Sequence, residues 1–359
     1  MKKTKNKKIK VGVSIGDLNG IGGEIALRTF EDERILEFCT PIFFASAKTV
    51  SFLLKHFDIN IKFQGIKEPA EALDGKVNVI TVFDDKAQID FGEETKENGK
   101  YAIQSLKAAV ASLKLKEIDV LVTAPINKSN IQAEDFKFPG HTDYLNQELE
   151  GDSLMFMITE GLKIGLLTDH VAVKDVAQKI TVDLITKKYS TIYNTLLQDF
   201  GVEKPKIAFL GINPHVGDGG VIGQEDKEVL IPTLEKIREK GELAYGPYAA
   251  DSFFGSGNYK NFDAIIAAYH DQGLIPFKTL SFGKGVNFTA GLERIRTSPD
   301  HGTAFEIAGK GIADHSSFKE AVYAAIAIFK KRKEYKKLTK DVLRKQKRRP
   351  SSSRRERFE

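Results

Sequence analysis

Three short segments each place a histidine among turn-forming residues: TDH ending at His170, NPHVGDGG containing His215, and YHDQG containing His270. Each follows an apolar run, KIGLLT, KIAFLG and DAIIAA, and such runs read as buried strands. Side chains emerging where such strands end stand where open α/β sheets hold ligands. A single histidine there usually has a structural task, donating a ring proton to a carbonyl or capping a helix. Three neutral imidazoles are also the protein's usual share of a catalytic metal site, with Zn, Co, Ni or Fe as candidates. Intervals of 45 and 55 residues match no single helix or loop, so spacing leaves both readings open.

Other polar residues could seat an acidic small molecule. In FPGHTDYL, His141 and Thr142 stand at an expected helix start, where free backbone N–H groups suit a phosphate or carboxylate; the plainer reading is an N-cap. Lys278, Asn287 and Arg296 fall within PFKTLSFGKGVNFTAGLERIRTS and supply two cations and an amide. Asp251 and Asp271 are candidate bases, or acceptors for the second nitrogen of a metal-bound histidine. His56 and His315 receive no role. Gly16, Gly20, Gly22 and Gly23 do not form GxGxxG, and GxxxxGK[ST] is absent, so neither a Rossmann nor a P-loop phosphate site is supported.

These residues need a rigid frame, and the pattern supplies one. Strands are expected at KVGVSI, PIFFAS, VNVITV, IDVLVTAP, SLMFMIT, KIGLLT, KIAFLGI, DAIIAAY and GVNFTAG. Between them lie helical periods at EIALRTFEDE, VSFLLKHF, Lys96 to Leu115, Lys174 to Asp199, Glu225 to Lys240 and Phe318 to Arg332. The fold class is therefore α/β, a mixed or largely parallel sheet with helices on both faces.

Composition narrows the function. With 359 residues, 41% of them apolar, the chain can build a sizeable core. No stretch approaches the length of a membrane span, and the basic start lacks a signal-peptide core, so the expected compartment is the cytoplasm. The lone Cys39 reads as buried and inert. The net charge of +5 is uneven: residues 1–10 carry +6 and residues 330–359 carry +11, leaving −12 on residues 11–329. An acidic body excludes nucleic-acid binding by the body, and the tail KRRPSSSRRERFE is expected to be disordered.

In order along the chain, GDLNGIGGE, TAPINK, GHTD, TDH, NPHVGDGG, YHDQG and IRTSPDHGTAFEIAGKG resemble the 4-hydroxythreonine-4-phosphate dehydrogenase family from Val11 to about Phe329. The resemblance implies an isocitrate and isopropylmalate dehydrogenase-like fold, two α/β domains flanking a cleft. The expected division is a basic segment 1–10, a cofactor-side domain 11–128 plus 280–329, a metal- and dimer-side domain 129–279, and the tail 330–359. It implies that His170, His215 and His270 ligate a divalent metal (Zn, Mg or Co), and that His141, Thr142, Lys278, Asn287 and Arg296 bind substrate. His301, Gly302, Thr303, Ala304 and Gly309, in the DHGTAFEIAG loop, are implied to contact NAD or NADP.

A homodimer with metal ligands drawn from both subunits is also implied. The reaction that the resemblance implies is NAD-dependent oxidation of 4-phosphooxy-L-threonine with decarboxylation, a step of pyridoxal phosphate (vitamin B6) biosynthesis. Two motifs depart from the family: GDPAGIGPE reads GDLNGIGGE, losing prolines at Leu18 and Gly23, and TTH reads TDH, adding Asp169. Relatives acting on 4-phosphorylated threonate or erythronate, or on ring dihydrodiols, remain alternatives. A metal-dependent hydrolase and a polyanion-binding protein driven by the basic termini are more distant ones.

Overall fold

The structure, a computed structural model, describes residues 8–83, 87–133, 136–138 and 140–341. Its strands are β1 (Ile9–Ser14), β2 (Cys39–Ala45), β3 (Phe63–Ile66), β4 (Val77–Thr81), β5 (Val120–Thr123), β6 (Gly151–Thr159), β7 (Leu162–Leu166), β8 (Ile207–Leu210), β9 (Ala244–Tyr248), β10 (Ala264–Ala267), β11 (Val286–Leu292) and β12 (Ile295–Pro299). All twelve form one sheet in the order β3-β4-β2-β1-β5-β12-β11-β6-β7-β10-β8-β9. The outer pairs are parallel, whereas β12, β11, β6 and β7 pair antiparallel and form a central seam. Wholly buried strands such as β2, β5, β8 and β10 explain the unbroken apolar runs.

The helices are α1 (Gly22–Thr29), α2 (Ala47–His56), α3 (Lys96–Lys114), α4 (His141–Glu148), α5 (Val176–Lys179), α6 (Val182–Phe200), α7 (Ile231–Arg238), α8 (Ala250–Gly255), α9 (His270–Ser281) and α10 (Ser316–Thr339). Local chemistry sets their ends. Thr95 and Thr181 accept the Asn98 and Leu184 backbone N–H groups to start α3 and α6, and Gly201 closes α6 in the left-handed region.

The two faces of the sheet are covered differently. One carries a continuous core in which α1, α2, α6, α7 and α10 pack on strands from both halves. The other carries two separate patches: α3 and α4 over Ile42, Phe44 and Leu121, and α8 and α9 over Ile164, Leu166, Leu210 and Ile265. Between these patches the middle of the sheet is left as the floor of a cleft.

Several expectations change. The two expected α/β units share a single sheet; of their boundaries, 128/129 falls in the connection between β5 and α4, whereas 279/280 falls inside α9. The pattern missed β3, β9 and β12: β3 and β9 are short edge strands, one with a proline, and β12 carries an arginine. YHDQG is not a turn, because His270 is the first residue of α9. The helix expected over 174–199 breaks at Ile180 and Thr181. Residues 330–339, expected as disordered tail, continue α10, where Arg332 pairs with the buried Asp199 at 2.5 Å; the rest of that expectation, 342–359, lies outside the described residues. Among the described residues no helix is long and apolar enough to cross a membrane.

Candidate active site

Strand alternation builds the floor. Asn287 on β11 stands opposite both Ser298 of β12 and Met157 of β6, so these side chains share one face, joined two residues away by Arg296 and Met155. Thr297, between Arg296 and Ser298, turns to the other face and donates to the Ala321 carbonyl of α10. The walls are the end of β5 through Lys128 with the start of α4 on one side, and His170, His270, Leu274 and Lys278 on the other. Asp300, His301 and Gly302 close one end of this cleft of about 280 Å³.

Arg296 dominates its electrostatics. It is 2% exposed, and its hydrogen bonds go to hydroxyls only: Nε and Nη2 to Thr123 Oγ1 at 3.0 and 2.5 Å, and Nη1 to Thr289 Oγ1 at 3.1 Å. Burial lowers its pKa to about 9, so it stays cationic at neutral pH. A buried cation without a carboxylate is costly in itself and attracts an anion into the cleft. His141, first residue of α4, lines the same space with Thr142; desolvation, then the nearby Arg296 and Lys128, hold its pKa well below the ordinary value. The buried polar atoms His141 Nε2, Asn287 Oδ1 and His301 Nε2 have no partner among the described residues, so three groups around the cleft are poised for a ligand.

Two of the three histidines meet here. The rings of His170 and His270 are 6.2 Å apart, and His270 Nδ1 lies 2.7 Å from Asp271 Oδ1, an arrangement in which Nδ1–H donates to the carboxylate and the Nε2 lone pair is left for a metal. His215 does not line this cleft; it is exposed, at φ 51°, in the turn after Pro214. Among the described residues no group of three His, Cys, Asp or Glu is arranged to hold a metal ion. This chain alone thus brings together two of the three histidines. Asp169 Oδ1 accepts the His170 backbone N–H at 2.9 Å.

The loop expected to meet the cofactor divides. His301 and Gly302 line the cleft, whereas the Thr303 carbonyl accepts the Ile21 N–H at 3.0 Å, and Ala304 takes a left-handed φ of 44°. A Cβ on Gly309 would lie 2.6 Å from Phe91, and a Cβ on Gly20 would lie 2.9 Å from the Thr303 oxygen. The glycines therefore allow GDLNGIGG, Phe91 and this loop to pack as one unit. At the Gly23 departure a Cβ would lie 2.7 Å from Leu53, so glycine there admits α2 closely. His56, given no role from sequence, lies 2.9 Å from the Gly309 carbonyl.

Asp251 is exposed on α8 and is not among the cleft-lining residues, and neither is Asp271. The sequence reading missed Lys128, Asp143, Asp300 and Thr123, which do line the cleft. TAPINK held the signal for Lys128, a cation after a strand end, and Thr123 was hidden as the last residue of an apolar run.

A family model described as pyridoxal phosphate biosynthetic protein PdxA matches residues 37–325. The chain is 46% identical over 341 residues to a 4-hydroxythreonine-4-phosphate dehydrogenase of Bacteroides thetaiotaomicron, covering 94% of each chain. It is 35% identical over 317 residues to a D-threonate 4-phosphate dehydrogenase of Cupriavidus necator, covering 87% of this chain and 95% of that protein. The crystal structure of a 4-hydroxythreonine-4-phosphate dehydrogenase from Klebsiella pneumoniae superposes with a TM-score of 0.78 at 31% identity, covering 90% of this chain and 98% of that one. Matched across most of its length by that family model and by relatives of nearly the same extent, the chain belongs to the pyridoxal phosphate biosynthetic protein PdxA family.

Proposed function

We propose that the protein oxidises 4-phosphooxy-L-threonine with NAD or NADP and decarboxylates the product to 3-amino-2-oxopropyl phosphate, in vitamin B6 synthesis. The observation that carries this reading is Arg296, a buried cation without a carboxylate partner among the described residues, at the floor of a cleft that Lys128 and Lys278 also line. Such a site binds a small phosphorylated acid. Arg296, Lys278 and the start of α4 with His141 and Thr142 hold the anionic groups, and the Asn287 Oδ1 accepts from a substrate ammonium or hydroxyl.

Oxidation moves hydride from C3 to the nicotinamide and the C3 hydroxyl proton to a base. The C1–C2 bond then breaks, CO2 leaves, and C2 takes up a proton. Asp300, which lines the cleft, is the candidate base; of the two named from sequence, Asp271 instead accepts from His270 Nδ1 and Asp251 stands outside the cleft. His301 and Gly302 border the space where the nicotinamide would meet C3.

His170 and His270 would hold a divalent metal, Zn, Mg or Co. When bound, such an ion supplies Lewis-acid polarisation of the reacting oxygen. The His215 loop, which does not line its own chain's cleft, would complete the set in the other subunit of a homodimer. Exposed apolar residues support that pairing: Val221 and Ile222 follow the loop at 84% and 46% exposure, and Ile275 and Phe282 flank Lys278 at 64% and 84%.

NADH or NADPH absorbance after adding 4-phosphooxy-L-threonine, 4-phosphothreonate or 4-phosphoerythronate tests the reading. Preference for the first, with CO2 released, is expected. Preference for either sugar acid would move the protein to the activity named for the Cupriavidus relative or a similar one, and no reduction with any would reject a dehydrogenase.

A further inference from the structure

The turn that carries His215 has an unusual backbone. His215, Val216, Gly217, Asp218 and Gly219 all lie in the left-handed region, with φ of 51°, 58°, 76°, 45° and 65°. L-residues visit that region singly, and here three non-glycine residues do so within one turn. Something must hold it. Asp226, fully buried at the start of a π-helical turn (Asp226–Leu230), accepts the backbone N–H of Ile212 on Oδ1 at 2.8 Å. Its Oδ2 accepts the backbone N–H and side-chain Nδ2 of Asn213 at 2.9 and 3.1 Å, and Glu225 takes the same Nδ2 at 2.8 Å. The far side of the turn closes through Ile222 N–H to the Gly217 carbonyl at 3.0 Å, and a Cβ on Gly217 would lie 2.6 Å from the Gly223 oxygen.

We propose that Asp226 is a positioning residue for His215, its carboxylate pinning the root of the left-handed turn so that the imidazole is presented in one place, preformed for the metal. One link in this rests on the reading of His215 as a metal ligand given above. The pinning itself does not. Two carboxylate oxygens shared among three donors fix residues 212 and 213, and a root fixed in this way leaves the next five residues few conformations. The π-helical turn, a device frequent at functional sites, brings the buried carboxylate to that root.

The test uses the full-length protein freed of metal. Zinc binding is followed by calorimetry, and amide hydrogen exchange is followed over residues 212–222, for Asp226→Asn, His215→Ala and the wild type. Asp226→Asn is expected to weaken zinc affinity by about tenfold or more and to speed exchange across the turn. Asp218→Gly, which places a residue indifferent to positive φ in the turn, should restore most of that affinity in the Asp226→Asn background.

A folded Asp226→Asn protein that binds zinc like the wild type overturns the proposal, even if its Tm falls, because a purely structural carboxylate would do that. Absence of rescue by Asp218→Gly overturns the route through backbone conformation. If His215→Ala leaves zinc binding unchanged, the metal reading fails, and the exchange rates alone decide whether Asp226 pins the turn. Should Asp226→Asn fail to fold, Asn213→Ala, which removes one donor of three, is expected to shift both measurements in the same direction by less; no shift in either rejects the idea.

Discussion

Arg296 and Thr123 come from strands that neighbour each other in the sheet but lie far apart in the chain, and one threonine hydroxyl receives both Nε and Nη2 of the guanidinium. That oxygen aims the cation into the cleft. Thr123→Val keeps the shape and removes the acceptor, a change of about 2 kcal/mol for bonds to a charged group, or roughly 30-fold in KM for the phosphorylated substrate. A KM within twofold of the wild type would show that Thr123 does not aim Arg296.

Arg296 itself separates stability from function. A buried cation with hydroxyl partners alone is a burden on the empty protein, so Arg296→Met should leave Tm unchanged or raised while kcat/KM falls about 100-fold or more. Inorganic phosphate should raise the Tm of the wild type, by the equivalent of about 2.7 kcal/mol at a hundred times its Kd, and not that of the variant. A variant that is destabilised yet keeps phosphate protection would remove Arg296 from the anion site.

His141 gives the pH dependence a sign. Its folded pKa is held well below the ordinary value by desolvation, then by Arg296 and Lys128, so below about pH 6.5 the unfolded chain takes up a proton that the folded protein refuses. Stability from this residue is therefore present above pH 6.5 and is lost as pH falls. His141→Asn should flatten the acid side of a Tm-versus-pH curve between pH 5 and 6.5. Parallel curves for the two proteins would count against a buried neutral ring.

The proposed sharing of the metal site between two subunits predicts complementation. His215→Ala and His270→Ala should each abolish activity as homodimers, and a refolded equal mixture should regain about a quarter of wild-type activity, because half the dimers are mixed and each has one intact site. A mixture as inactive as its parents would place all the ligands in one chain.

The end of α10 offers a fifth contrast. Arg332 holds Asp199 through two nitrogens and also donates to the Leu292 and Glu293 carbonyls. Arg332→Ala, which strands a buried carboxylate, should cost about 3 to 5 kcal/mol in denaturant unfolding, whereas Lys331→Ala, at the exposed neighbouring ion pair with Glu334, should cost less than about 0.5. Equal effects would show the pair to be dispensable.

These residues also show how far sequence reading reaches. The unbroken runs KIGLLT and DAIIAA state their own burial, and the histidine that follows each marks where a site can stand, so the fold class and most strands were legible. Arg296 was legible as a cation and not as a floor residue, because its strand is five residues long with only Ile295 large and apolar, too little to show an alternation. Arg332 looked like one more basic residue in a charged run, since nothing local reveals the carboxylate on α6 that claims it. Asp226 is the clearest limit. Its importance comes from a left-handed turn eleven residues upstream, and helix or strand periodicity does not encode such a turn.

One unbroken sheet under the cleft has a mechanical consequence. Thr123, Arg296, Asn287 and Met157 sit on neighbouring strands of a single hydrogen-bonded ladder, so a twist of the sheet carries the anion seat and its neighbours along together. A hinge between two separate lobes has no obvious place to bend here. Closing over a substrate falls to the borders, the start of α4 on one side and α9 on the other, each resting on its own apolar patch. Chemistry anchored to the ladder and selectivity carried by the borders can vary independently, and kin that process different phosphorylated acids would be expected to differ first in those two helices.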